Sequence, residues 1–259
     1  MLGDLIDDLY ARGRFSFTLK EVVGYSNASP LAIKAAIGRL LKKNRIAMPH
    51  RGFYAIVPPE YRTIGCPPAE QFMDDLMRHL EEPYYVGLLS AAGYHGAAHH
   101  RPQVFQVVAP KTHRKIRCGK VLVEFTYRKN TADIPVRERN TPSGTIRVST
   151  PEATALDLVG YERHSGGLNN VLTVLSELAE KIDATQLLEA AAFSPTAWTQ
   201  RLGYLFERLG KEEKANILAA YIGERKPVRT PLVPGFTTKG SKSNARWRLF
   251  INSHLEADI

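Results

Sequence analysis

Ser29-Pro30-Leu31-Ala32-Ile33-Lys34-Ala35-Ala36-Ile37-Gly38-Arg39-Leu40-Leu41-Lys42-Lys43 is the stretch that decides how the first part of the chain folds. Ser29 is a good N-cap, and Pro30 falls in the first turn, where its missing N–H has no intrahelical bond to lose. Ile33, Ile37, Leu40 and Leu41, with Ala36 beside them, recur at helical spacing and predict an inward stripe. The other side carries Ala32, Lys34, Ala35, Gly38, Arg39 and Lys42. Small residues between cations suit a surface that must come close to a polyanion.

Working outward from this helix gives a module. Leu2, Leu5, Ile6 and Leu9 share one face of a first helix, which Gly13 ends. Thr18 can cap a short second helix carrying Leu19, Val22 and Val23, and Gly24-Tyr25-Ser26-Asn27 turns into the third. After it, Ile46 to Met48 and Phe53 to Val57 read as two short strands around the turn Pro49-His50-Arg51-Gly52. Three helices followed by a hairpin are the pattern of a winged helix-turn-helix, with Arg51 at the tip of the wing. The major groove of B-DNA, about 12 Å wide, admits one helix, which enters with its N-terminal residues toward the base edges. Ser29 and Lys34 are therefore expected at base edges or phosphates, and Arg39, Lys42 and Arg51 at phosphates. The expected partner is double-stranded DNA.

The charge pattern agrees with this reading. The 259 residues carry a net charge of +9, and the excess is in blocks. Residues 1–58 hold nine Lys/Arg against four Asp/Glu, residues 101–129 eight against one, and residues 225–248 seven against none. These blocks amount to +5, +7 and +7, so the rest of the chain is at −10. Blocks of one sign focus potential and attract polyanions.

Val57-Pro58-Pro59-Glu60-Tyr61 reads as a boundary, because consecutive prolines stop helix and strand alike. The fold class expected is α+β, with a winged helix over 1–60 and a larger mixed domain over 61–259. That domain divides into a mixed sheet (61–150), helices (151–224), and a basic loop with a final strand (225–259). Gln103 to Val108, Lys120 to Tyr127 and Thr145 to Val148 are the strand candidates. Ser149-Thr150-Pro151-Glu152 and Asp183-Ala184-Thr185-Gln186 are helix starts, and Ser194-Pro195 opens a helix whose buried stripe runs through Trp198, Leu202, Leu205, Phe206 and Leu209 to a stop at Gly210. Residues 226–246 read as a polar loop.

Several classes are disfavoured. No stretch approaches the ~20 apolar residues of a membrane span. The start, Met1 to Leu5, lacks a signal-peptide pattern, and two cysteines, Cys66 and Cys118, make no disulfide framework or zinc spacing, so a cytoplasmic protein is expected. There is no Gly-rich phosphate loop and no serine nucleophile elbow. His95 and His99 have the i, i+4 spacing of a metal pair, but no carboxylate or cysteine stands near them, and a structural role is favoured. No metal or cofactor is expected.

Five blocks, in order along the chain, resemble the AbiEi family of antitoxins from bacterial abortive-infection toxin–antitoxin systems. They are the winged helix closed by Gly52-Phe53-Tyr54; Tyr85-Val86-Gly87-Leu88-Leu89-Ser90-Ala91-Ala92 with His95-Gly96; Ile146-Arg147-Val148-Ser149-Thr150-Pro151-Glu152-Ala153-Thr154-Ala155-Leu156-Asp157-Leu158; Arg201-Leu202-Gly203-Tyr204-Leu205-Phe206-Glu207; and Trp247-Arg248-Leu249-Phe250-Ile251-Asn252. The third and fourth are the most specific, although good helix-start chemistry and core packing also account for them. The resemblance implies an N-terminal domain that binds inverted repeats in the promoter of its own operon. It also implies a C-terminal domain that opposes a nucleotidyltransferase toxin, an antagonism generally described for the family without a stable complex.

The family's C-terminal domains distantly resemble a nuclease-like α/β fold, which needs an Asp and a Glu-x-Lys pair to hold Mg²⁺. Here the matching strand is Val123-Glu124-Phe125-Thr126-Tyr127, with Thr126 in place of the lysine. The expectation is a non-enzymatic scaffold, whose Lys111, Arg114, Lys115, Arg117 and Lys120 form an additional basic surface for nucleic-acid backbone. The alternatives are a metal-dependent nuclease and a ligand-responsive transcriptional regulator unrelated to a toxin.

Overall fold

The computed structural model describes residues 2–25, 28–97 and 103–255. Its first elements are α1 (Leu2–Ala11), β1 (Ser16–Thr18), α2 (Leu19–Tyr25), α3 (Pro30–Lys42), β2 (Ile46–His50) and β3 (Phe53–Ile56). The start of α2 is a reciprocal cap. Thr18 Oγ1 accepts from the Glu21 N–H at 3.2 Å, and Glu21 Oε2 accepts from the Thr18 N–H at 2.7 Å. Ser29 Oγ accepts from the Ala32 N–H at 3.3 Å and starts α3 with Pro30 behind it.

The inward face of α3 buries Ile33, Ile37 and Leu40 in one cluster with Ile6, Leu9, Phe17, Val22, Ile46, Tyr54 and Ile56. Each such aliphatic side chain contributes about 1.5–3 kcal/mol by leaving water, as an upper estimate. Leu41, placed in the same stripe by its spacing, is only partly buried. The three strands form an antiparallel sheet of order β1-β3-β2, with Phe17 opposite Tyr54 and Ala47 opposite Ala55. Its register breaks between Ala47 and His50, where Pro49 has no N–H for the ladder. Gly52 turns the hairpin at φ 79°, a conformation a side chain would resist.

The chain continues through α4 (Met73–His79), β4 (Tyr85–Val86), α5 (Leu88–Tyr94), β5 (Phe105–Ala109), β6 (Ile116–Cys118), β7 (Val121–Tyr127), β8 (Val136–Thr141) and β9 (Gly144–Ser149). These strands make a sheet of order β6-β7-β5-β4-β9-β8. β5 and β7 are parallel, with Gln106 opposite Glu124, and β6 is antiparallel to β7. The next elements are α6 (Pro151–Gly160), α7 (Gly167–Leu178), α8 (Ala184–Ala192), α9 (Thr196–Arg208) and α10 (Glu212–Arg225), followed by β10 (Thr230–Pro231), β11 (Lys242–Asn244) and β12 (Leu249–Ile251). The architecture is α+β.

The contacts divide the chain into two compact units. The first comprises Met1–Tyr85, Gln103–Thr131 and Glu138–Arg147. It therefore holds the helices and hairpin together with β5, β6 and β7, and bonds cross the Pro58-Pro59 step inside it. Ser16 Oγ donates to Asp75 Oδ2 at 2.7 Å, and Asn44 Nδ2 to the Arg62 carbonyl at 3.2 Å.

The second unit comprises Val86–Pro102, Ala132–Arg137 and Val148–Ile259. α6 is its axis, buried from Pro151 through Val159. Thr150 Oγ1 caps it by accepting from the Ala153 N–H at 3.3 Å, and Ser149 Oγ meets Thr154 Oγ1 at 2.7 Å. Asp183 Oδ1 caps α8 by accepting from the N–H groups of Thr185 and Gln186. Ser194 differs from its expected role. Its hydroxyl donates to the Ala190 carbonyl at 3.0 Å, closing α8, and α9 begins at Thr196 with Pro195 as an N-cap that offers no side-chain bond. Trp198 is half-buried against the Tyr161 ring, whereas Leu202, Leu205 and Phe206 are fully buried.

The segment read as a polar loop, 226–246, contributes β10 and β11 to a three-stranded sheet of order β10-β12-β11. α9 holds this sheet. Gln200 Nε2 donates to the carbonyls of Val228, Trp247 and Arg248, Arg201 Nε to that of Pro231 at 3.1 Å, and Glu207 Oε2 accepts from Trp247 Nε1 at 2.6 Å. The fourth and fifth sequence blocks thus meet as one structural joint.

Candidate nucleic-acid interface

The cations of the first module fall into two groups. Arg12 pairs with Asp8, Arg14 with Glu21, and Arg45 with Asp7. Three of the module's four acidic residues are thereby spent on arginines outside α3 and the hairpin. The Glu21 carboxyl shows the balance: burial pushes it up, but bonds from Arg14 and Thr18 outweigh this and hold it below the usual carboxylate range.

Lys34, Arg39 and Lys42 on α3 and Arg51 in the hairpin turn are exposed. Among the described residues none of their side chains has an ion pair or hydrogen bond. Ser29, also exposed, uses its hydroxyl on the helix cap. Lys20 on α2, Lys43 at the end of α3 and His50 beside Arg51 are exposed cationic or titratable groups that the sequence reading did not select. Their signal was present, since each lies next to an element already judged basic. Tyr25 and Leu31 leave apolar surface open beside them, at 74% and 79% exposure, which is far more than a core-facing residue of a short helix keeps.

The second basic set, in the first unit, is split by its neighbours. Lys111 Nζ donates to Glu82 Oε1 and His113 Nε2 lies against Glu82 Oε2, both at 2.8 Å. Lys115 pairs with Glu124. Arg114, Arg117 and Lys120 are exposed, and no side-chain partner holds them among the described residues. Glu124, the residue a nuclease reading would use, is thus held by a lysine, faces Gln106 across the parallel pair, and shares no metal-binding cluster of His, Cys, Asp and Glu among the described residues.

His95 Nε2 sits 2.8 Å from the Ser149 carbonyl, a fold contact at the start of α6. His99, the other member of the suspected metal pair, lies outside the described residues, as do Ser26 and Asn27 of the turn before α3. Cys66 and Cys118 are free, buried and adjacent. Gly119 makes the approach possible, since a Cβ there would meet the Gly65 Cα at 3.0 Å and collide with the Ile64 carbonyl. No helix among the described residues is long and apolar enough to cross a membrane.

The chain is similar in fold to the crystal structure of the RV2827C protein from Mycobacterium tuberculosis, with a TM-score of 0.66 at 17% identity over 95% of this chain and 89% of that one. At that identity the likeness concerns the fold alone. No curated protein matches the chain. Residues 85–208, from β4 to the end of α9, match the AbiEi antitoxin C-terminal domain. The match spans the second, third and fourth sequence blocks.

Proposed function

We propose that the chain is the antitoxin and autorepressor of a bacterial toxin–antitoxin operon. Its first sixty residues act as a winged helix that binds promoter DNA, with α3 in the major groove and the β2–β3 hairpin as the wing. The observation that carries this reading is the sorting of charge. Acidic partners neutralise Arg12, Arg14 and Arg45, whereas Lys34, Arg39, Lys42 and Arg51 stay exposed and unpaired among the described residues. Unpaired cations on a helix and a neighbouring turn suit a phosphate backbone, whose counterions they displace. Ser29 and Lys34, at the N-terminal end of α3, are the candidates for base-edge contact.

The operator is expected to be an inverted repeat in the chain's own promoter. The C-terminal domain is expected to oppose a nucleotidyltransferase-type toxin, functionally and without a required stable complex. That part rests on the family match.

The direct test is anisotropy titration of labelled upstream DNA across a salt series. Wild type should bind with a steep salt dependence. Lys34→Ala/Arg39→Ala/Arg51→Ala should flatten the log–log slope by about three and abolish specific binding at physiological salt. Unchanged binding by that variant would move the site off α3 and the wing. Co-expression with the neighbouring reading frame, scored as growth rescue, tests the antitoxin role.

A further inference from the structure

The wing does not stand alone in the first unit. Between it and the β5–β6 segment runs a cleft of about 610 Å³. His50 and Arg51 of the wing line it together with Arg114, Lys115, Arg117 and Phe125. Among the described residues no carboxylate lines it. Two carboxylates bonded to residues of this segment are already engaged, Glu124 by Lys115 and Glu82 by Lys111 with His113.

Three guanidinium groups, those of Arg51, Arg114 and Arg117, therefore share one concavity. None has a side-chain partner among the described residues. Like charges gathered in a cleft repel one another, and low-dielectric walls strengthen that repulsion. The arrangement is favourable when an anion occupies it. Guanidinium forks are matched in geometry to phosphate oxygens.

We propose that this cleft is a second phosphate seat for DNA. It holds the sugar-phosphate backbone of the strand that the wing meets, through Arg51, Arg114 and Arg117. A polymer is favoured over a small anion because one wall of the cleft is the wing itself. Arg51 belongs to both surfaces, so a backbone bound at the wing tip continues into the cleft. This inference rests on the DNA-binding reading and extends the contact surface well past residue 60.

The test uses the full chain and a labelled duplex of its upstream DNA, titrated over a NaCl series. Arg114→Ala/Arg117→Ala should weaken binding roughly tenfold or more at moderate salt and flatten the log–log salt slope by about two. Arg114→Lys/Arg117→Lys should keep most of the slope, because the charge remains. Thermal melts confirm that each variant is folded. Hydroxyl-radical footprints of the alanine variant should lose backbone protection at the outer edge of the site and keep it at the centre.

An alanine variant with wild-type affinity, slope and footprint, alongside loss of binding by Lys34→Ala/Arg39→Ala, overturns the cleft and leaves the winged helix standing. A wild-type chain that ignores the duplex overturns both. Saturable binding of tripolyphosphate that is lost in Arg114→Ala/Arg117→Ala, with DNA binding unaffected, overturns the DNA assignment in favour of a small-anion site.

Discussion

Gly203 stands where a side chain would collide with Trp247: a Cβ built on it runs into Cζ3 and Cη2 of the indole. The ring is fully buried, its Nε1–H donates to Glu207 Oε2 at 2.6 Å, and the backbone carbonyl of Trp247 accepts from Gln200 Nε2 at 3.1 Å. Gln200, Gly203 and Glu207 lie on α9 at helical spacing, so one face of that helix is shaped to receive one aromatic residue. Gly203→Ala should therefore destabilise the chain by about 1–3 kcal/mol, through overpacking rather than helix propensity. Trp247→Leu frees the space, so the double variant should be less unstable than the two single effects added together. Urea melts of the four proteins measure that coupling; simple additivity would remove the contact.

The reciprocal cap at the start of α2 makes a second prediction. Thr18→Ala removes the acceptor for the Glu21 N–H and leaves Glu21 without a hydroxyl partner. The expected loss is about 1 kcal/mol. Because α2 leads into α3, the loss should show as faster amide exchange in residues 19–25 and as weaker DNA binding with an unchanged salt slope. A changed slope would mean that Thr18 itself reaches a phosphate.

The contrast between those two sites shows what the sequence could and could not disclose. α3 was legible because its cap, its proline and its stripe are all local, and they point to one answer. β1, β6 and β8 were not. Ser16-Phe17-Thr18 and Ile116-Arg117-Cys118 are three residues each and gain their conformation from partners far along the chain, β3 and β7. Val136 to Thr141 is too charged to read as a strand. β10 and β11 hide in a stretch rich in Gly, Pro and Ser, and bonds from distant residues, such as the amide of Gln200 and the guanidinium of Arg201, tie that stretch down. The cationic residues of α3 and the wing could be named from sequence. Which arginines are neutralised could not, because Asp7 and Arg45 are 38 positions apart.

Cys66 and Cys118 were distant in sequence and are neighbours in the fold. The Cys66 thiol donates to the Cys118 sulfur, and this bond, reinforced by burial, pushes the Cys66 thiol up. The same bond lowers Cys118, against its burial and with help from the Met48 N–H. Cys66→Ala removes the donor, so the Cys118 thiolate should form at higher pH than in the wild type. The ultraviolet absorbance of the thiolate across a pH series reads this directly on the folded protein. An unmoved Cys118 titration would show that the two sulfurs do not communicate.

Glu82 carries the last prediction, because it decides whether the basic cleft stays free of carboxylate. Burial pushes its carboxyl up, but bonds from Lys111 and His113 outweigh burial and hold it below the usual carboxylate range. A carboxyl depressed in the folded chain adds stability above its unfolded pKa, and that stability is lost as pH falls through the folded value. Glu82→Gln should therefore be less stable than wild type at neutral pH, and the gap should close in the acid range as the wild-type carboxyl takes up its proton. The variant also releases Lys111 beside Arg114, adding uncompensated positive charge. Its salt slope on upstream DNA should steepen if Lys111 reaches the backbone, and stay at the wild-type value if the cleft ends at Arg114. Paired urea melts between pH 3 and 7 check the first outcome, on the reference range of a glutamate near 4. A gap that is constant across that range would mean the Glu82 carboxylate is not held by those two partners.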